Sequence, residues 1–456
     1  RRTAAFRIGG ALRLPCEADV SIAGDYRLDD GSLRADVVTS EIGLDQIGPP
    51  WRQRLPAELR GGVAQLTLNV IRDASGPPAI SGRAQLSGLV WQRQALRMTT
   101  GAHVELSALP PAVAGQPWAV ALRASVRDGA IEGLPILGGA DRIAGQVVLQ
   151  DGVLTVDRLE GRSLGSTWTL QASMALRPGA TLEARLDMPV PLTALAERLP
   201  AARPWQPAGT ADVVAVWRGP PAQWPHVEIL ATAQVREASA VWQSSRLVGL
   251  NGLLRYDHLA RRVTSEGLRG LADGYPVAAH GAVQLDASPW IDLALEAQAD
   301  ARLATRLPQL QPMLREAAGP IQARLTLRGP ISNLQWTGEA ALSDVRIAWQ
   351  QPALSLEAIR GVVEFSNDHV ASRQLTLRTA QHAVTLSGSV TGLQTAPRLA
   401  LTAQLPAATV ALNAVVGDAS VEVDRLELAA GRSRLQARGQ LSRDPARASD
   451  VTIQGT

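Results

Sequence analysis

Apolar and polar residues alternate with a period of two along most of this chain. In residues 291–300 (IDLALEAQAD), Ile291, Leu293, Leu295, Ala297 and Ala299 share one face, while Asp292, Glu296, Gln298 and Asp300 share the other. Trp168, Leu170, Ala172 and Met174 alternate in the same way with Thr167, Thr169, Gln171 and Ser173, and Val384, Leu386, Gly388 and Val390 with Thr385, Ser387, Ser389 and Thr391. Successive side chains of a strand point to opposite faces, so this pattern predicts antiparallel sheet with one wet face. Asp30-Gly31, Asp128-Gly129, Asp151-Gly152 and Asn367-Asp368 have the chemistry of tight hairpin turns. Helical spacing is rare. Its best case is residues 301–318, where Leu303, Leu307, Leu310 and Leu314 recur before Gly319, with Pro308 and Pro312 predicting a kink or break. Residues 192–199 and 51–59 are shorter candidates, each placed to cover a strand edge locally.

Above the alternation lies a longer repeat. Residues 199–242 return as residues 307–349: each copy runs Leu-Pro, a short helical stretch, a Gly, an alternating strand, Arg-Gly-Pro and two more strands, and leads into Trp242-Gln243 or Trp349-Gln350. The two Trp are about 107 residues apart, a period that marks stacked supersecondary units. A fainter copy runs from Leu55-Pro56 through Gly62 to Trp91-Gln92. No Ser/Gly-rich or like-charged linker interrupts the chain. The expected organisation is one continuous array over residues 1–456, with units near 1–90, 91–198, 199–306 and 307–456. A sandwich or a barrel needs no such period. The expected fold is mainly β: an elongated antiparallel β-sheet repeat of roughly thirty strands about 4.8 Å apart, bent lengthwise into a groove, with a few short helices at repeat junctions.

Composition narrows the function. Hydrophobic residues are 46% of the chain but aromatic ones only 4%, with two Phe, so the apolar face is mostly Leu, Val, Ala and Ile. The 45 basic residues are all Arg, dispersed and balanced by 42 acids, which argues against a nucleic-acid partner. Cys16 is alone, which excludes an internal disulfide framework and a Cys-based metal site. The opening RRTAAFRIGGALRLPCEADV has no apolar stretch of secretory length, and no run of about 18 apolar residues occurs. Strand-like sequence at both ends (ALRL, VTIQGT) reads as a segment of a longer protein.

Catalytic and metal patterns are weak. Gly161-Arg162-Ser163-Leu164-Gly165 has the spacing of a nucleophile elbow, but that elbow needs a helix after the Ser, and here an alternating strand follows. His103 with Glu105 and His226 with Glu228 are two-ligand pairs, short of the three or four that zinc requires. His280 and His382 read as polar residues at strand starts. Trp242 and Trp349 read as structural plugs at repeat junctions rather than ligand contacts. Arg324, Arg328 and Arg378 read as solvated strand residues that discourage edge pairing. No catalytic residue, metal or cofactor is expected, and the chain reads as a non-enzyme.

Residues 361–405 (GVVEFSNDHVASRQLTLRTAQHAVTLSGSVTGLQTAPRLALTAQL) carry a pattern of Gly-x-Val-x-Phe, polar turn, strand, small polar pair, strand with Gly-x-Val, then Pro-x-Leu-x-Leu. Variants recur near residues 250–297 and 143–188. This grammar resembles the AsmA-like superfamily of bacterial envelope proteins, which includes TamB- and YhdP-type members, over about three quarters of the chain. The resemblance implies a taco-shaped sheet whose apolar groove shields acyl chains. It further implies a periplasmic location in a Gram-negative bacterium, anchored to the inner membrane by an N-terminal helix that this chain lacks, and movement of phospholipid to the outer membrane. Expected partners are therefore phospholipid and, through the missing ends, the inner and outer membranes.

The cleanest inner faces nominate the groove: Leu293, Leu295, Leu325, Leu327, Val363, Phe365, Leu375, Leu377, Val384, Leu386, Leu399 and Leu401. Carrying a two-chain lipid through water exposes dozens of methylenes, each costing about 0.8 kcal/mol, and a continuous aliphatic surface removes most of that cost. A competing expectation is a scaffold for outer-membrane protein assembly, in which a sheet edge templates a partner strand through main-chain hydrogen bonds. A β-solenoid adhesin fits less well, because the repeat is long and has helical junctions.

Overall fold

The computed structural model of the chain describes residues 5–13, 18–47, 53, 56–74, 76–110, 118–134, 137–220, 227–242, 245–286, 288–306, 314–350, 354–379, 382–417, 420–442 and 449–455. Of these, 77% are in strands and 5% in helical turns. They form 29 strands, numbered β1 to β29 along the chain, and all the pairings are antiparallel. The fold class read from the alternation is the one the chain adopts: antiparallel open sheet with few helices. Two compact units are distinguished, Arg1–Trp242 with Arg255–Ala260, and Gln243–Leu254 with Arg261–Thr456.

In the first unit each long strand pairs with the next in sequence. β5 (Leu59–Arg72), β6 (Ala79–Arg93), β7 (Leu96–Leu109), β8 (Ala119–Leu134), β9 (Gly138–Gln150) and β10 (Val153–Ser163) run on into β11 (Ser166–Ala175), β12 (Leu182–Pro191), β13 (Ala208–Gly219) and β14 (Glu228–Trp242). The register aligns apolar positions: Leu68 faces Gly82, then Leu106, Leu122, Leu149, Leu154, Met174 and Leu182. Directly opposed residues lie on one face of a sheet, so alternation within strands becomes an apolar surface across them.

The second unit repeats this plan. β16 (Arg262–Ala272), β17 (Tyr275–Gln284), β18 (Trp290–Asp300), β20 (Pro320–Pro330), β21 (Gln335–Trp349), β22 (Ser355–Ser366) and β23 (His369–Arg378) pair in order. β24 (Ala383–Thr391), β25 (Arg398–Leu405), β26 (Ala408–Val416), β27 (Ser420–Ala430), β28 (Ser433–Ser442) and β29 (Asp450–Gly455) continue the series.

Three local expectations change. Residues 301–318 are not one kinked helix: a 3₁₀ turn spans Ala301–Arg306, residues 307–313 lie outside the described set, and Leu314–Ala318 is strand β19. β21 outruns β20, and its uncovered end offers backbone groups that β19 takes up, with Leu314 opposite Trp349 and Ala318 opposite Arg346. Asp128-Gly129 is a bulge inside β8 rather than a hairpin, with Asp128 at φ 52° and a register shift between Val126 and Gly129. An Asp-Gly pair tolerates left-handed backbone in a bulge as readily as in a turn. The helix expected at 51–59 is not found among the described residues, where 53, 57 and 58 are turns and Leu59 begins β5; residues 51, 52, 54 and 55 lie outside the described set. Residues 192–199 do hold a helix, α1 (Leu192–Arg198), followed by a 3₁₀ turn at Pro200–Trp205. Asp151 and Gly152, at φ 52° and 74°, turn β9 into β10 as expected.

A bulge recurs through the second unit, between Ser265 and Leu268, Ser372 and Leu375, and Val423 and Leu426. Opposite each bulge stands a glycine with positive φ: Gly281 (134°), Gly388 (144°) and Gly439 (145°). At Gly388 a side chain would collide with the Ala400 carbonyl oxygen, and at Gly439 with that of Asp450. Bulge and glycine together bend the strand and bring its neighbour close.

Two clusters of buried residues form small closed cores. In the first unit Ala140, Ile143, Trp168, Met188 and Val190 pack together, with Leu195 of α1 against them. In the second, Ala301 of the 3₁₀ turn and Ala317 of β19 pack with Val345, Ile359 and Leu377. Elsewhere most of the apolar face is half-buried, with buried residues such as Ala211, Val235 and Val423 dispersed along it. The chain exposes 29390 Å², whereas two compact domains of half its mass would expose about 20,000 Å² together.

Candidate functional site

The second unit assembles the nominated residues. Leu293 and Leu295 of β18 face Leu327 and Leu325 of β20. Leu327 then faces Trp336, and Leu325 faces Gly338, on β21. Phe365 lies opposite Gly338 and Val363 opposite Ala340. Leu375 follows across Gly361, and it faces Leu386, while Leu377 faces Val384. Leu401 and Leu399 face Gly388 and Val390. All twelve therefore share one face of this unit, where β-bulges keep the apolar positions in phase.

They do not share one environment. Leu377 is 8% exposed and belongs to the closed core, with Val384 and Leu386 packed against that core. These three therefore lie at the closed core, which Ala301 of the 3₁₀ turn and Ala317 of β19 help to form, rather than on the open surface. Leu293, Leu295, Leu325, Leu327, Val363, Leu375, Leu399 and Leu401 remain partly exposed with no second layer over them among the described residues. Phe365 leans onto the space left by Gly338, and its ring centroid lies 5.8 Å from that of Trp336. Asn367 secures this corner, accepting from the Trp336 N–H at 2.6 Å and donating to the Leu334 carbonyl at 3.0 Å.

The opposite face is polar and zipped by exposed ion pairs. Arg324 bridges Glu296 (3.6 Å) and Glu339 (3.2 Å), and Arg328 reaches Asp292 at 3.0 Å, donating a hydrogen bond that raises the guanidinium pKa. In the first unit Arg83 pairs with Glu105 and Arg236 with Asp212. Such exposed pairs contribute about 0–1 kcal/mol each, so they mark the wet side more than they hold it. Hollows of about 590 Å³ and 480 Å³ open on this polar side, the first lined by Asn69, Ser81, Arg83, Glu105, Arg123 and Gln150, the second by Glu296, Gln298, Arg324 and Glu339 among others.

The chemical candidates resolve into structure. Ser163 ends β10, is 5% exposed, and donates from Oγ to the Gly139 carbonyl at 2.7 Å; β11, not a helix, follows it. His103 and Glu105 lie on the exposed face of β7, and His226 lies outside the described residues. His280 is an exposed β17 residue, and the His382 carbonyl accepts from Thr379. Among the described residues no group of three potential metal ligands converges. Trp349 closes β21 and donates from its backbone N–H to Leu354. Trp168, by contrast, is a core residue whose ring fills the space over Gly161. None of the helices among the described residues is long and apolar enough to cross a membrane.

The chain was compared with protein-family models, curated proteins and solved structures, and none matches it.

Proposed function

We propose that the chain is a non-enzymatic conduit for phospholipid, shielding acyl chains on the open apolar face of its sheets. The observation that carries this reading is the uncovered aliphatic face itself, with Leu295, Leu325, Leu399 and Leu401 partly exposed in mutually aligned strands. A soluble domain rarely leaves so large an apolar surface without a partner for it. Aliphatic side chains without converging polar groups suit a lipid tail, which needs removal from water and no specific grip.

The resemblance of residues 361–405 to the AsmA-like superfamily supports the same reading, and with it a periplasmic setting between inner and outer membranes. Native mass spectrometry of the purified chain should find copurified phospholipid, and Leu295→Asp and Leu401→Asp should lose it while remaining folded. Folded variants with unchanged lipid would sink the assignment of those positions. Crosslinks confined to an edge strand and to a barrel protein would favour the strand-templating scaffold instead.

A further inference from the structure

Each unit closes its apolar face towards one margin and leaves it open towards the other. In the first unit the closed core gathers Trp168 towards the start of β11 and Met188 and Val190 towards the end of β12. In the second it gathers Val345 towards the end of β21, Ile359 towards the start of β22 and Leu377 towards the end of β23. Antiparallel pairing puts the far ends of these strands together on the opposite margin of each unit.

On that open margin the apolar alternation runs past the strand ends. Leu28 follows β2 (Asp19–Arg27), Leu176 follows β11, Leu285 follows β17 and Ile331 follows β20. Each is the first residue beyond its strand, in phase with Ile22, Met174, Val283 and Leu327 respectively. They are 57%, 53%, 46% and 64% exposed. Backbone bonds hold three of them in place: the Leu176 N–H donates to the Gly152 carbonyl at 2.7 Å, that of Leu285 to Arg261 at 2.7 Å, and that of Ile331 to Pro289 at 3.0 Å. Trp290, 48% exposed, lies opposite Pro330 beside Ile331. On the closed margin the first residues past β6, β16 and β27 are Gln94, Asp273 and Gly431, and Ala301 past β18 is buried.

One exposed Leu needs no explanation, but four aliphatic turn residues all on the open margin do, because turns favour Gly, Pro, Asn, Asp and Ser. Polar turns such as Asp151-Gly152 stand between them, offering a folded partner no continuous patch. A lipid leaflet accepts them separately, since fluid chains close round each side chain. Within two residues of these tips Arg27 and Arg177 are set against Asp29, Asp30 and Asp286, a mixture that suits a zwitterionic headgroup layer rather than an anionic one.

Resting on the conduit reading, we infer that the open margin of each unit docks on a zwitterionic phospholipid leaflet. The tips enter its hydrocarbon, and acyl chains pass there between leaflet and sheet. Trp290 lies at the level where hydrocarbon meets water.

The test sediments the purified chain with vesicles of phosphatidylcholine and phosphatidylethanolamine. Wild type should bind equally well at low and high salt, because hydrocarbon contact is not screened. Leu28→Ser with Leu176→Ser in the first unit, or Leu285→Ser with Ile331→Ser in the second, should weaken binding about tenfold or more, since each pair withdraws two aliphatic side chains from hydrocarbon. Both pairs should keep the wild-type unfolding midpoint and copurified phospholipid, but exchange that lipid with vesicles severalfold more slowly. Leu354→Ser, on the closed margin at a residue 43% exposed, should change neither binding nor exchange. Trp290 emission, read as the difference between wild type and Trp290→Phe, should be quenched by lipids with brominated chains. A wild type that stays in the supernatant, binding indifferent to both pairs, or an equal loss in Leu354→Ser overturns the docking margin, while the conduit stands on its copurified lipid. Self-association that the same pairs disperse would give the tips to a second copy and overturn it too. A chain that docks through its tips yet neither carries nor exchanges lipid overturns the conduit and the passage of chains, and leaves the docking alone.

Discussion

The two ends of the apolar surface in the second unit use similar residues to opposite effect. Around Val345, which is 1% exposed, Ala301 of the 3₁₀ turn and Ala317 of β19 pack with Ile359 and Leu377 and make a core in the ordinary sense. Around Leu295 and Leu399 the same Leu and Val alternation lies open. The difference is not composition but whether a local segment supplies packing partners. Packing is thereby uneven in space: the closed end holds the strands together, and the open end is left uncovered among the described residues.

Substitutions sharpen that contrast. Val345→Asp places an unpaired carboxylate in the closed core and should cost about 3–5 kcal/mol, read as a large fall in the unfolding midpoint. Trp168→Ala, in the corresponding core of the first unit, should cost about 3 kcal/mol by the same measurement. Gly388→Ala forces a side chain into left-handed backbone against the Ala400 carbonyl and should cost about 2 kcal/mol, with unfolding that begins in the hairpin of β24 and β25, visible by hydrogen exchange. Leu295→Asp should cost only about 1 kcal/mol, because its side chain already meets solvent. A loss there comparable to that of Val345→Asp would mean that the open face is covered after all.

The smallest effect is electrostatic. The Arg425 guanidinium, 2.6 Å from Glu427, donates a hydrogen bond that holds this carboxyl below the usual carboxylate range. Its stabilisation is complete at neutral pH and is lost as pH falls through the folded-state value. Glu427→Gln should flatten the acid limb of the stability profile slightly and change nothing at the closed core.

Most of the strand architecture was legible in the sequence, because alternation is imposed by the backbone and survives whatever packs on it. The turns at Asp151-Gly152 and Asn367-Asp368 were legible for the same local reason. Asp128-Gly129 misled because left-handed backbone serves bulges and hairpins equally. The 301–318 segment misled because helix spacing of Leu is indifferent to a free strand edge, and β21 supplies that edge only in three dimensions. Leu377 lies on the apolar face that alternation predicts, but alternation is silent about what packs against one end of a strand. The bulges before Leu268, Leu375 and Leu426 shift alternation by one residue, too short a break to be read from one strand alone. The paired signal, a Gly in the following strand facing the break in alternation, is present in the sequence once the register is known.

Pairing almost wholly between neighbours in sequence has a kinetic and evolutionary consequence. Each hairpin closes a short loop, so contact order stays low and strands can add one after another to a growing sheet without waiting for distant segments. Damage at one hairpin then stays near it. Because faces alternate within each strand and directions alternate between strands, gain or loss of one whole hairpin restores both phases. A chain built this way can lengthen or shorten by pairs of strands while every remaining residue keeps its side.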